Sequence, residues 1–238
     1  VLVFVSDGVL YASAGQSLNL NWKWEDIAKH LKINVRDSMS ALDIKNNLLG
    51  VCDQMYLFEP GDDTTVCVLK AVKPKKVKLF TGPPSHKEDD AKVVHELMNN
   101  ADIRIVSGGT TSQIVARELG VEVKSSTEIY DKEVPPIAYI QGVDLVTEGV
   151  LTLSKTIDRL KSLSKSLDSD IFKAKDGASQ MAKLLYSASH IKLLVGRSLN
   201  IANAESSFQR DLELRLHVVG ELEKILVKLG KIVTVEYY

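Results

Sequence analysis

Two short acidic motifs are the first residues in this 238-residue sequence that could do metal chemistry: "SDG" at Ser6–Gly8 and "GDD" at Gly61–Asp63. Asp7 follows the β-favouring run Val1–Val5, and Asp62 precedes an alternating run at Thr65–Lys70. If the two strands are neighbours in a sheet, both carboxylates arrive at one end of it. Hard divalent cations such as Mg²⁺ or Mn²⁺ take oxygen ligands from a few carboxylates and fill the rest of their shell with water. Two such ions bridged by an aspartate can generate a hydroxide and clamp a phosphoryl group for in-line attack. Asp-Gly and Gly-Asp pairs are also ordinary turn formers, so a plain turn remains the alternative.

A second constellation suits anions. "IRIVSGGTTSQIVARELG" reads as a strand running into Gly108 and Gly109, after which Thr110 and Thr111 open a helix. Unpaired N–H groups at a helix N-terminus attract an anion, glycine lets a ligand approach the backbone, and threonine hydroxyls cap or donate. The motif is neither GxGxxG nor a P-loop, since no Lys follows, and a glycine turn starting a helix is the simpler alternative. Arg197 ends the strand "IKLLVG", while Asp144 and Glu148 lie at the start of "VDLVTEGVLTLSKTIDRLKSL", expected to be mostly one long helix. An arginine beyond a strand suits phosphate or carboxylate, with a surface salt bridge as the alternative. The acids are either ligands or partners of the helix dipole. All seven residues form one site only if they share the carboxyl end of a sheet, where α/β folds bind ligands.

The elements that must position these groups follow from periodicity. "WEDIAKHLK" and "SMSALDIKNNLLGVCDQMY" have helical spacing, with Ala41, Ile44, Leu48, Val51 and Met55 on one stripe and Ser38 or Ser40 as the N-cap. The Lys- and Pro-rich stretch 73–84 reads as a linker between a domain over 1–72 and another over 85–238. Within it "VKLF" (77–80) is a candidate first strand of the second domain. Beyond it helices and strands alternate, ending in "RDLELRLHVVGELEKILVKLG" and "KIVTVEYY". That alternation predicts an α/β layered domain with a largely parallel sheet. The stripe Leu212, Leu216, Val219, Leu222 and Leu226 is either a core face or a homo-oligomer contact.

Composition narrows the function class. Net charge is −1 and aromatic content 6%, which supply neither a field for nucleic acid or anionic membrane nor a base-stacking platform. Cys52 and Cys67 sit in apolar stretches and are expected to be buried, reduced thiols. No apolar run approaches the roughly 18 residues of a membrane span, and the expected compartment is the cytoplasm.

The motifs together resemble a known family. "LVFVSDGV", "IAKHL", "ALDIKNNLLGVC" and "PGDDTTVCVLK" are similar to the C-terminal part of metal-dependent PPM (2C-type) serine/threonine phosphatases, in the branch of the stage II sporulation protein E-like bacterial phosphatases. The resemblance implies that Asp7 and Asp62 are ligands of a two-ion Mn²⁺ or Mg²⁺ site and that the substrate is a phosphoprotein. Asp63 occupies a neighbouring position outside the ligand set. It also implies that residues 1–72 are the last part of a phosphatase β-sandwich. The family's other Asp-Gly motif lies upstream of "VLVFVSDGV", so this chain alone is expected to be inactive. "GGTTSQIVAREL", "VPPIAYIQGVDLVTEGVLTL" and "IKLLVGRSLN" resemble the α/β domain appended to such phosphatases in anaerobic bacteria, from Val77 to Tyr238. The resemblance implies a regulatory domain on a metal-dependent phosphatase. The alternative is a non-enzymatic α/β module that binds a small anion or a protein partner.

Overall fold

A computed structural model describes residues 1–12, 22–163, 174–198 and 207–238, with side chains from 211 onward in the last stretch. The chain divides into two units, Val1–Lys73 and Pro74–Tyr238.

In the first unit, β1 (Leu2–Val5) leads into the short helix α1 (Asp7–Leu10). Helices α2 (Trp24–Asn34) and α3 (Ala41–Met55) precede β2 (Val66–Leu69). Ser40 caps α3, its hydroxyl accepting from Asp43 N at 3.1 Å while the Asp43 carboxylate accepts from Ser40 N at 2.8 Å. This reciprocal box satisfies two backbone donors at the helix start. β1 and β2 pair antiparallel, Leu2 opposite Leu69 and Val5 opposite Val66. One face of the ribbon packs Val3, Val5 and Val66 against Val9, Leu48 and Cys52. The other face leaves Leu2, Phe4 and Leu69 more than half exposed. The two thiols therefore differ. Cys52 is buried, and burial pushes its thiol up to about 11. Cys67 is exposed, because it pairs with Phe4 on the outward face.

The second unit is an α/β layer. Its strands are β3 (Lys76–Thr81), β4 (Ile103–Ser107), β5 (Lys124–Ser125), β6 (Ala138–Tyr139), β7 (Leu145–Thr147), β8 (His190–Val195) and β9 (Ile232–Tyr237). Its helices are α4 (Asp90–Met98), α5 (Gly109–Leu119), α6 (Val150–Leu163), α7 (Gly177–Ser187) and α8 (Ser207–Lys228). The sheet order is β5-β6-β7-β4-β3-β8-β9. The five strands from β7 to β9 run parallel, and β5 and β6 are antiparallel additions at one edge. The chain winds outward from β3 through β4 to β7, then returns to β8 on the other side of β3. The topological switch point therefore lies between β3 and β8. Phe80, Val106, Val146 and Leu194 face the apolar sides of α4 and α5. Leu79, Ile105, Leu193 and Val195 face α6, α7 and α8.

Two sequence expectations change here and one open choice is resolved. The stretch read as a linker contains the central strand β3, which extends the candidate strand at 77–80. Lys78 within it is buried, and its ammonium donates to the Glu96 carboxylate and to the Glu96 and Asn99 carbonyls at the end of α4. The expected long helix from Val143 splits into strand β7 and, after Gly149, helix α6. The apolar stripe of α8 lies in the core, with Val219, Leu222 and Leu226 at most 2% exposed. No helix among the described residues is long and apolar enough to cross a membrane.

Candidate functional site

The two acidic turns meet at one end of the β1–β2 ribbon, as antiparallel pairing of their strands requires. Ser6 ties them together. Its hydroxyl donates to Asp63 O at 3.0 Å and accepts from Thr65 N at 2.9 Å. Gly8 lies so close to the second turn that a Cβ there would stand 2.5 Å from Asp63 O. Tyr56 holds the first turn from below, donating from its hydroxyl to Gly8 O at 2.7 Å. Asp7 and Asp62 are exposed, and among the described residues each carboxylate accepts only from the next residue's N–H. Two hard oxygen donors suit a hydrated Mg²⁺ or Mn²⁺. They do not complete a two-ion site: among the described residues no group of three or more His, Cys, Asp or Glu stands ready to hold a metal.

The second site lies at the carboxyl end of the parallel sheet. The switch point itself is sealed. Gly196 N donates to Thr81 O at 3.0 Å, Ser198 N to Pro83 O at 3.0 Å and Arg197 N to Tyr238 O at 2.9 Å. The loops after β3 and β8 touch so closely that a Cβ on Gly196 would lie 2.1 Å from Pro83 O. The opening is displaced one strand along, between the ends of β3, β4 and β7, where a cavity of about 160 Å³ remains.

Three sources of positive potential converge on it. The first turn of α5 supplies one. Its first helical bond runs from Ser112 N to Gly108 O at 2.8 Å, so the N–H groups of Gly109, Thr110 and Thr111 precede the ladder. Gly108 makes the entry possible with a φ of +125°, a conformation that favours glycine. The first turn of α6 supplies the second: Gly149 and Val150 line the cavity, and the first bond of that helix runs from Leu153 N to Gly149 O. Both helices direct the positive ends of their dipoles here.

Arg215 of α8 is the third. Its Nη1 donates to Gly196 O at 3.2 Å, and no carboxylate among the described residues forms an ion pair with it. Burial presses its pKa below the usual guanidinium value, with the neighbouring Asp211 opposing weakly; at physiological pH it stays charged. Gly82, with a φ of +80°, leaves room for it, since a Cβ there would meet Nη1 at 2.4 Å. The Gly82 N–H is itself held by the Thr111 hydroxyl at 2.9 Å. Thr111 therefore joins the two loops through its side chain.

The sequence-derived residues divide accordingly. Gly108, Gly109, Thr110, Thr111 and Glu148 all line the cavity. Asp144 stands at the other end of the sheet, where its carboxylate accepts from Arg104 N at 2.7 Å and fixes the start of β4. Arg197 is beyond a carboxyl end but outside the cavity, exposed and stacked over the Tyr237 ring at 5.6 Å. Arg215 was missed, although a signal existed. It falls at heptad spacing between Leu212 and Val219, on the stripe where the helix otherwise places apolar side chains.

No family model matches the sequence, and neither a curated protein nor a solved structure matches it.

Proposed function

We propose that residues 74–238 form a binding module for a small anionic ligand, held at the carboxyl end of the parallel sheet. The observation that carries this is Arg215, a part-buried guanidinium without a carboxylate partner among the described residues, in a cavity where two helix N-termini meet. A phosphoryl or carboxylate group there would accept from the α5 N–H groups and the guanidinium together. The test is thermal unfolding of the full chain with and without inorganic phosphate. The expected result is a rise in Tm that Arg215→Ala abolishes. A phosphate-dependent rise equal in both proteins would contradict the site.

A second reading is favoured by the interlocked acidic turns. Residues 1–73 would then be part of a metal-dependent phosphoprotein phosphatase, Asp7 and Asp62 holding Mn²⁺ or Mg²⁺, and the anion module would regulate it. The bound ions would supply an activated water for attack on a phosphoserine or phosphothreonine. The exposed apolar face of the ribbon supports this reading, since in a sandwich a second sheet packs on such a face. This reading expects calorimetric Mn²⁺ binding that is lost in both Asp7→Asn and Asp62→Asn, with no hydrolysis of a phosphoserine peptide by this chain alone. Mn²⁺ binding that persists in both variants would exclude those ligands.

A further inference from the structure

Resting on the anion reading, we propose that the ligand is a phosphate monoester of a small hydroxylated body, a sugar or polyol phosphate. Its phosphoryl group sits between Arg215 and the first turn of α5, and its body extends past Glu148 into the adjoining cavity.

The head group follows from the donors. A carboxylate offers two oxygens with about four lone-pair positions, whereas a phosphoryl group brings three acceptor oxygens and more charge. The cavity presents the α5 N–H groups, the turn at Gly149 and the guanidinium from different sides, which a planar carboxylate meets poorly. Thr81 adds an independent sign. It is 1% exposed, it lines the cavity, and no group among the described residues hydrogen-bonds its hydroxyl. That hydroxyl borders the cavity, where a ligand oxygen can pair with it.

The body follows from the neighbouring space. A second cavity of about 280 Å³ shares Gly109 and Glu148 with the first and opens toward β5 and β6. Its wall includes Gln113, Ser125, Pro136 and Ile137, and Glu148 is the only charged residue lining it among the described residues. Glu148 is exposed, and its carboxylate makes one long contact, 3.4 Å from Gly149 N. An acceptor at this boundary selects a body carrying hydroxyl donors and repels a second anionic group. The smaller cavity accommodates the phosphoryl group, and the larger one a short polyol or a single sugar ring.

The experiment is calorimetric titration of the full chain with inorganic phosphate, ribose phosphate, gluconate and free ribose, repeated on Glu148→Ala and Arg215→Ala. The expected result is that ribose phosphate binds at least about tenfold more tightly than inorganic phosphate, a margin of about 1.4 kcal/mol. Gluconate should be weaker than ribose phosphate, free ribose should not bind, and Glu148→Ala should shrink the margin. Equal affinity for ribose phosphate and inorganic phosphate, or a margin that survives Glu148→Ala, overturns the proposed body. Gluconate binding as tightly as ribose phosphate overturns the phosphoryl head. In all these cases Arg215-dependent phosphate binding would leave the anion site standing. Absence of phosphate binding altogether overturns both the site and this inference.

Discussion

Both ends of the seven-stranded sheet carry charged side chains, but they dispose of them differently. Near the amino end is a cavity of about 270 Å³, larger than the one at the carboxyl end. Its charges neutralise one another: Lys78 and Lys192 both donate to the Glu96 carboxylate, at 2.7 and 2.8 Å, and Lys192 also pairs with Glu236 at 2.6 Å. At the carboxyl end, a guanidinium, two helix starts and the Thr81 hydroxyl face a smaller space in which no ion pair forms among the described residues, and the acid there, Glu148, makes one long contact to Gly149 N. Volume does not distinguish a site from a packing gap here. What distinguishes them is whether the polar groups are already satisfied by the protein.

That contrast can be broken at several points. The largest effect is expected from Gly196→Ala, whose methyl group must enter the backbone seam between the loops after β3 and β8. Forced overpacking of this kind costs about 1–3 kcal/mol or more, read as a fall in the denaturant midpoint. Because the seam holds Gly196 O against Arg215, phosphate binding should weaken as well.

At the amino end, Glu96→Gln should destabilise the fold by about 1–3 kcal/mol, since it strips the buried Lys78 of its anion. Phosphate affinity should not change. The hydrogen bonds from Lys192, then Lys78, hold the Glu96 carboxyl below its ordinary value. A lowered folded pKa gives stability that is complete above the ordinary carboxylate range and is lost as pH falls through the lowered value. Unfolding followed from neutrality downward should show this acid-dependent loss in the wild type and a shallower one in Glu96→Gln.

A smaller effect, about 1 kcal/mol, is expected for Asp144→Ala, which removes the acceptor for Arg104 N. It should leave phosphate binding untouched, in contrast with Glu148→Ala at the opposite end of the same short strand.

How much of this was legible beforehand depended on whether the determinant was local. The helix α3 and its Ser40 cap follow from spacing within one segment, and so does the strand-to-helix junction at Gly108–Thr111. Strand β7 was hidden because it is three residues long and only Glu148 and Gly149 separate it from an apolar helix. The core of β3 at 77–80 was legible, but the lysines around it read as a linker because their partners lie more than a dozen residues away. Asp144 and Glu148 look equivalent in sequence, four residues apart. Strand direction places one at each end of the sheet, and no local pattern encodes that. Arg197 was the more conspicuous arginine, following a strand and a glycine. The one facing the cavity was Arg215, which required knowing which side of α8 meets the loops.

The most direct test compares phosphate titrations of the wild type, Arg215→Ala and Glu96→Gln under identical salt. Loss of one charge-assisted contact is worth about 1.5–3 kcal/mol, so Arg215→Ala should weaken phosphate binding by roughly 10- to 100-fold. Glu96→Gln should bind phosphate as the wild type does despite its lower stability. Phosphate binding that survives Arg215→Ala, or that falls in Glu96→Gln, would contradict the assignment of the ligand to the carboxyl end of the sheet.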